Sequence, residues 1–201
     1  MLIRRLYAHE RRLYADHLKR LSDSDRRLRF AGGGMTDARI DAHVAGIDGD
    51  ALILAALDGE MVVGAAHVSI AGAVAEVGVS VDSGHRTGGT GSDLLRQAVA
   101  FARNRRAEKL YTLCLSDNRA MMALARRTGM TLHADGGEAE AFLDLPPPDA
   151  ATLCREASTG LFAVFHDWAE LVEAYGEALS QSLPAPQQPD PTLRPGLTFR
   201  M

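Results

Sequence analysis

Residues 76–92 read Glu76-Val77-Gly78-Val79-Ser80-Val81-Asp82-Ser83-Gly84-His85-Arg86-Thr87-Gly88-Gly89-Thr90-Gly91-Ser92. Valine at every second position from Val77 to Val81 has the period of a strand. The glycine-dense loop that follows opens a segment from about Gly91 to Arg105, with Leu94, Leu95, Ala98, Val99 and Ala102 on one helical face. A strand, a glycine loop and a helix start form a cradle for phosphate. Glycines let successive backbone N–H groups converge without a Cβ in the way, and the helix dipole favours an anion. Arg86 adds a formal positive charge. A plain flexible turn is the competing reading of the same residues. Two nucleotide motifs are excluded: no lysine follows these glycines as a P-loop requires, and Leu94 stands where a dinucleotide fingerprint needs its third glycine.

Working outward, Ala51–Leu57 and Met61–Ile70 have strand character and are joined through Asp58-Gly59, a hairpin signal. A third strand, Ala75–Val81, follows the turn at Ala71-Gly72-Ala73. Earlier still, apolar residues at helical spacing predict a helix over Ala8–Leu21 and a second over Thr36–Ile47, the latter with Thr36 as N-cap. Gly32-Gly33-Gly34 supplies a mobile connection between them. Downstream, Lys109–Leu115 is a predicted strand and Arg119–Thr128 a helix closed by Gly129. Met130–Ala134 and Ala139–Leu145 are two more strands around Asp135-Gly136-Gly137. The order ααβββαβαββ is an antiparallel meander passing into a βαβ unit, which predicts an α/β (α+β) domain with a mostly antiparallel central sheet flanked by helices.

The chain has 201 residues and a formal net charge of −4, enough length for one substantial core. Its two ends differ: residues 1–40 carry ten basic and five acidic side chains, residues 135–201 three and eleven. The basic start fits the solvated face of a helix, and neither a nucleic-acid nor a membrane partner is expected. No apolar run approaches a membrane span, Met1-Leu2-Ile3-Arg4-Arg5 lacks an h-region, and a cytoplasmic location is expected. Cys114 and Cys154 are too few for a disulfide framework, and the seven histidines show no metal-ligand spacing, so no metal is expected. All eight prolines follow Leu145, which predicts a folding unit over residues 1–145 and an extension over 146–201. Within that extension, Leu161, Phe165, Trp168, Val172, Tyr175 and Leu179 make the seam of a helix over Leu161–Leu183, either docked on its own domain or pairing two chains into a homodimer.

The run Arg86-x-x-Gly89-x-Gly91 resembles the pyrophosphate-binding motif of the GNAT N-acetyltransferase superfamily, which lies between a strand and the helix after it. Asn118-x-x-Met121-x-x-Leu124-x-x-x-x-Gly129-Met130 is similar to that family's second cofactor-side helix, and the resemblance spans residues 1–145. Leu21-Ser22 and Asp25-Arg26-Arg27-Leu28-Arg29-Phe30 also resemble a segment of GNAT domains in bacterial protein-lysine acetyltransferases. The resemblance implies a GNAT-like fold and acetyl-CoA as co-substrate. It implies backbone contacts to the pantetheine from Val79 and Val81, and a pyrophosphate held by Arg86, Thr87, Gly88, Gly89, Thr90, Gly91 and Ser92. Asn118 would lie near the pantetheine or the thioester.

Acyl transfer needs a base, because an alkylammonium with a pKa of about 10.4 must lose a proton. Glu76, which opens an otherwise apolar strand, is the candidate; a solubilising charge at a strand edge is its other reading. The tyrosine that many family members carry one residue after the helix leucine is Ala125 here, which leaves Cys114, Ser116 or solvent as the acid. Glu138 and Glu140 would attract a cationic amine, whereas Arg26, Arg27 and Arg29 would select an acidic surface or a carboxylate. The acceptor, a protein or a small molecule, therefore stays open. The expected function is direct acetyl transfer to a primary amine; a non-catalytic acyl-CoA sensor or interaction module, or a structural domain, is the rival.

Overall fold

The computed structural model describes residues 1–157. Seven strands form one sheet in the order β1-β2-β3-β4-β5-β7-β6. They are β1 (Leu2–Leu6), β2 (Leu52–Asp58), β3 (Met61–Ala71), β4 (Val74–Val81), β5 (Lys109–Leu115), β6 (Thr131–Asp135) and β7 (Glu138–Asp144). Five named helices accompany them: α1 (Arg11–Arg20), α2 (Asp23–Arg29), α3 (Asp37–Ala45), α4 (Thr90–Asn104) and α5 (Arg119–Arg127). A sixth, α6, covers 150–157. Every strand pair is antiparallel except β4 with β5. The predicted mixed, mostly antiparallel α/β sheet is the fold observed.

The sheet buries both faces. Leu52, Leu54 and Ala56 of β2 point to a core shared with Leu94, Leu95 and Phe101 of α4 and Met121 and Leu124 of α5. The alternate residues Ile53, Ala55 and Leu57 point to a core with Tyr14 and Leu18 of α1 and Ile40 and Val44 of α3. Double-sided burial is why β2 reads as an unbroken apolar run. Tyr14, Leu18 and Ile40 are fully enclosed, and each such side chain contributes roughly 1.5–3 kcal/mol.

Two elements lie where no regular structure was expected. β1 carries Arg4 and Arg5, yet Arg4 is buried and its charge is met by Glu10 at 2.6 Å. α2 occupies the stretch ahead of the glycines and buries none of its residues. It is held by polar contacts: the Ser22 hydroxyl accepts from the Asp25 N–H at 3.1 Å, and Arg26 donates to the carbonyls of Lys19, Leu21 and Met35. Arg26 also pairs with Asp37 at 2.8 Å.

Past Leu145 the chain stays against α4. Arg103 donates to the carbonyls of Pro146 and Pro147 and pairs with Asp149 at 2.7 Å. Asn104 and Arg105 both reach Glu156. The predicted helix over Leu161–Leu183 lies outside the described residues. Among the described residues, no helix is long and apolar enough to cross a membrane.

Candidate active site

The cleft originates where the sheet comes apart. β4 and β5 pair only at Val74–Lys109, Ala75–Leu110 and Glu76–Tyr111, although β4 runs on to Val81 and β5 to Leu115. The Asp82 N–H donates to the Val63 carbonyl at 2.8 Å. Given the alternation of an antiparallel ladder, residues 76, 78 and 80 then direct their backbone groups to β3, and Val77, Val79 and Val81 direct theirs the other way. Beyond Glu76 that side has no strand partner among the described residues. The Val81 carbonyl accepts from Arg86 Nε at 3.0 Å.

The strand leads through a short 3₁₀ turn, Ser83–His85, into the glycine loop. Gly89 occupies the N-cap of α4 with φ 83° and no side-chain cap, so the first N–H groups of the helix keep their capacity to donate. The left-handed conformation explains glycine at this position. A Cβ on Gly91 would touch Leu124 at 3.5 Å, so α4 and α5 wall the site closely. Thr90 is buried, and its hydroxyl donates to the His85 carbonyl.

Two cavities share the splayed gap. The first, about 140 Å³, is bordered by Val79, Val81, Arg86, Gly89, Gly91, Ser92 and Asn118; Thr87, Gly88 and Thr90 do not line it. The Arg86 guanidinium is already paired with Asp25 of α2 at 2.7 Å. Arg127 of α5, exposed and with no ion pair found among the described residues, also lines this cavity. Nothing in the sequence singled it out, since its place follows from the fold alone. The second cavity, about 350 Å³, is bordered by Glu76 together with Phe30, His43, His67 and Ser69. Leu28, Arg29, Val79, Asn118 and Met121 border both, which makes one cleft with two ends.

Asn118 has a structural task at the junction. Its Oδ1 accepts from the Met121 N–H at 3.0 Å, capping α5, and its Nδ2 donates to the Leu28 carbonyl of α2 at 3.4 Å. Arg27 pairs with Asp117 at 2.9 Å on the same side. α2 is therefore tied across the gap by Asp25, Arg27 and Leu28.

On the α2 face of the sheet, Glu76, Gly78 and Ser80 of β4 share a surface with Ser69 and His67 of β3 and Tyr111 of β5. Glu76 is exposed at the cavity rim. The Tyr111 hydroxyl donates to Glu140 at 3.1 Å, and burial, then that bond and the nearby carboxylates, push the phenol above its ordinary value. His67 is held near 4, by burial first and by Arg29 second; His43 is lowered for the same reasons. Burial pushes the Cys114 thiol up, as expected for an inert core thiol. His85 meets Asp58 at 3.4 Å.

Sequence reading also missed a buried relay. His17 of α1 is fully enclosed: Nδ1 donates to the Val62 carbonyl at 3.2 Å, and Nε2 accepts from the Ser80 hydroxyl at 2.9 Å. Asp82 lies 3.2 Å from Nδ1. Burial and the Arg20 charge nevertheless outweigh that carboxylate and bring His17 to about 4. The neutral ring pins α1 to the sheet. Among the described residues, no group of three or more His, Cys, Asp or Glu side chains could hold a metal ion.

Residues 12–130 match the acetyltransferase (GNAT) family, more than half of the chain, and the protein belongs to that family. It is accordingly an acyltransferase. Solved structures share the fold. The GNAT domain of S. lividans PAT is 22% identical with a TM-score of 0.64, over 71% of this chain and 89% of that one. An acetyltransferase of the GNAT family from Streptococcus pneumoniae is 15% identical with a TM-score of 0.59, over 72% and 99%. The phosphinothricin acetyltransferase from Sinorhizobium meliloti, in complex with acetyl-CoA, is 17% identical with a TM-score of 0.57, over 74% and 90%. No curated protein matches the chain.

Proposed function

We propose that the protein is an acetyl-CoA-dependent N-acetyltransferase, with residues 1–145 as its catalytic unit, that passes the acetyl group directly to a primary amine. One observation carries this reading: β4 and β5 part after Glu76–Tyr111, and the backbone groups of Val79 and Val81 face the gap that leads to the uncapped start of α4. An amide-bearing arm completes those groups as an added strand would. The N–H groups at Gly89–Ser92 and the Arg127 charge suit a pyrophosphate beyond it. Bound acetyl-CoA supplies an activated acyl group as a thioester.

The rest falls to the chain. At pH 7 only about one in 2,500 molecules of an amine with a pKa near 10.4 is neutral, a cost of about 5 kcal/mol. Glu76, at the rim of the other cavity, takes the ammonium proton before the nitrogen attacks, and the second proton that the nitrogen sheds as the amide forms goes to solvent. The N–C bond forms, the C–S bond breaks, and the thiolate leaves with the electron pair. A thiol titrates at about 8.5, so this leaving group needs no obligatory acid. That suits a site where Ala125 is buried in the core and offers no proton. Calorimetric titration with acetyl-CoA, followed by thiol release with amines and peptides, tests the reading. Failure to bind acetyl-CoA overturns it.

A further inference from the structure

The cavity beside Glu76 holds a cation that has no counter-anion among the described residues. In α2, Arg26 pairs with Asp37 and Arg27 with Asp117, and at the other end of the cleft Arg86 pairs with Asp25. Arg29 has no carboxylate in contact among the described residues. Its Nη2 donates to the Tyr14 hydroxyl at 3.1 Å, its guanidinium lies 5.0 Å from the Phe30 ring centre, and its Nε is buried with no hydrogen-bond partner. A part-buried guanidinium lacking an anion is costly, and a ligand anion removes that cost.

Two more buried atoms point to the same conclusion. Nε2 of His43 and Nε2 of His67 also lack partners among the described residues, and the two rings meet edge to face at 5.8 Å in the cavity wall. Held low by burial and by Arg29, both imidazoles stay neutral at pH 7, so they can donate to an anion without repelling the guanidinium. The opposite charge lies along the same sheet face. Glu76 stands beside Tyr111, which donates to Glu140. Positive and negative groups thus face one small space of about 350 Å³, a size suited to a small molecule.

We propose that the acetyl acceptor is a small amino-carboxylate, its carboxylate held by Arg29 with His43 and His67 and its amine turned to Glu76. This assignment rests on the N-acetyltransferase reading and deepens it. The carboxylate takes no part in bond making; it fixes the amine beside Val79, where the acyl group arrives. A planar carboxylate can take two N–H bonds from a guanidinium fork, and an amide of the same shape cannot match that charge.

The test is thiol release from acetyl-CoA with matched pairs, each proteinogenic amino acid and each ω-amino carboxylate against its own carboxamide. Preference for the acid by at least about tenfold in kcat/KM is expected for the best pair. Arg29→Gln should bring that ratio close to one, and Arg29→Lys, which keeps the charge but not the fork, should leave it in between. Thermal unfolding checks that both variants fold; should Arg29→Gln fail to fold, Arg29→Lys and the acid–amide ratio of the unaltered protein decide. Amides accepted as well as acids overturn the proposal, as does an Arg29→Gln loss equal for both. Acetylation of peptide lysines with no small amino-carboxylate turned over also overturns it and leaves the transferase reading standing. Absence of turnover with every amine and peptide, despite acetyl-CoA binding, overturns both.

Discussion

The guanidinium of Arg29 lies flat against Gly78 of β4, so closely that a Cβ on Gly78 would overlap its central carbon. The overlap is with the far end of a flexible side chain, and Gly78 has no positive φ. Gly78→Ala should therefore fold with a stability change within about 1 kcal/mol while displacing the guanidinium. Acceptor KM should rise, as is also expected for Arg29→Gln. A large fall in melting temperature, or an unchanged KM, would show that the contact is not what places Arg29.

Glu76 borders the cavity walled by His43 and His67 and not the one at the glycine loop. Glu76→Gln should lower kcat by about 10²–10⁴-fold and leave the calorimetric Kd for acetyl-CoA unchanged. Full turnover in this variant removes Glu76 from the reaction.

Two glycines separate strain from obstruction. Gly89 has φ 83°, so Gly89→Val adds about 1–3 kcal/mol of backbone strain as well as bulk. Gly91 carries no such strain and lies against Leu124, so Gly91→Val adds bulk alone. Both should weaken acetyl-CoA binding, and neither should weaken binding of acetyl-pantetheine, which has no pyrophosphate. Equal loss for the two ligands would place the defect in the pantetheine path and not in the phosphate cradle.

Acid should loosen the fold well above the carboxylate range. His17 is near 4 when folded and near 6.5 when unfolded, so the unfolded chain binds the extra proton between those values. Its contribution is complete above pH 6.5 and is lost as pH falls toward 4. Between pH 7.5 and 5 the loss is about 2 kcal/mol for His17, with His67 adding a similar amount. Urea unfolding at the two pH values measures it, and His17→Gln should flatten the slope. Asp82, raised chiefly by burial, works in the opposite direction but only at lower pH.

How far the sequence foretold this molecule depended on how local each cause is. β2 to β7, α1 and α3 to α5 announce themselves through apolar period, Asp58-Gly59, Thr36 and Gly129, all near in sequence to what they cause. β1 is hidden because Arg4 is buried against Glu10, a residue from the next turn of chain. α2 is hidden because it buries nothing and is held by polar contacts, among them Arg27–Asp117 and Asp25–Arg86 from far along the chain. The same rule divides the cleft. The glycine loop is one continuous run, so the stretch that brings Arg86, Gly89, Gly91 and Ser92 to the cavity border is visible in the sequence. The wall around Arg29 draws Phe30 at the end of α2, His43 of α3, His67 of β3 and Glu76 of β4 to one place, and only the packing of those helices on the sheet brings them together. The bond from Ser80 to His17 spans 63 positions and left no trace in any pattern.

Asp25 and a pyrophosphate would compete for one cation, Arg86. A phosphate that draws the guanidinium to itself releases one of the three ties that hold α2 across the gap, leaving Arg27–Asp117 and Leu28–Asn118. Arg29 rides on that same helix. Counter-ion exchange at one end of the cleft would thus be felt at the other, through the one helix that carries both Asp25 and Arg29.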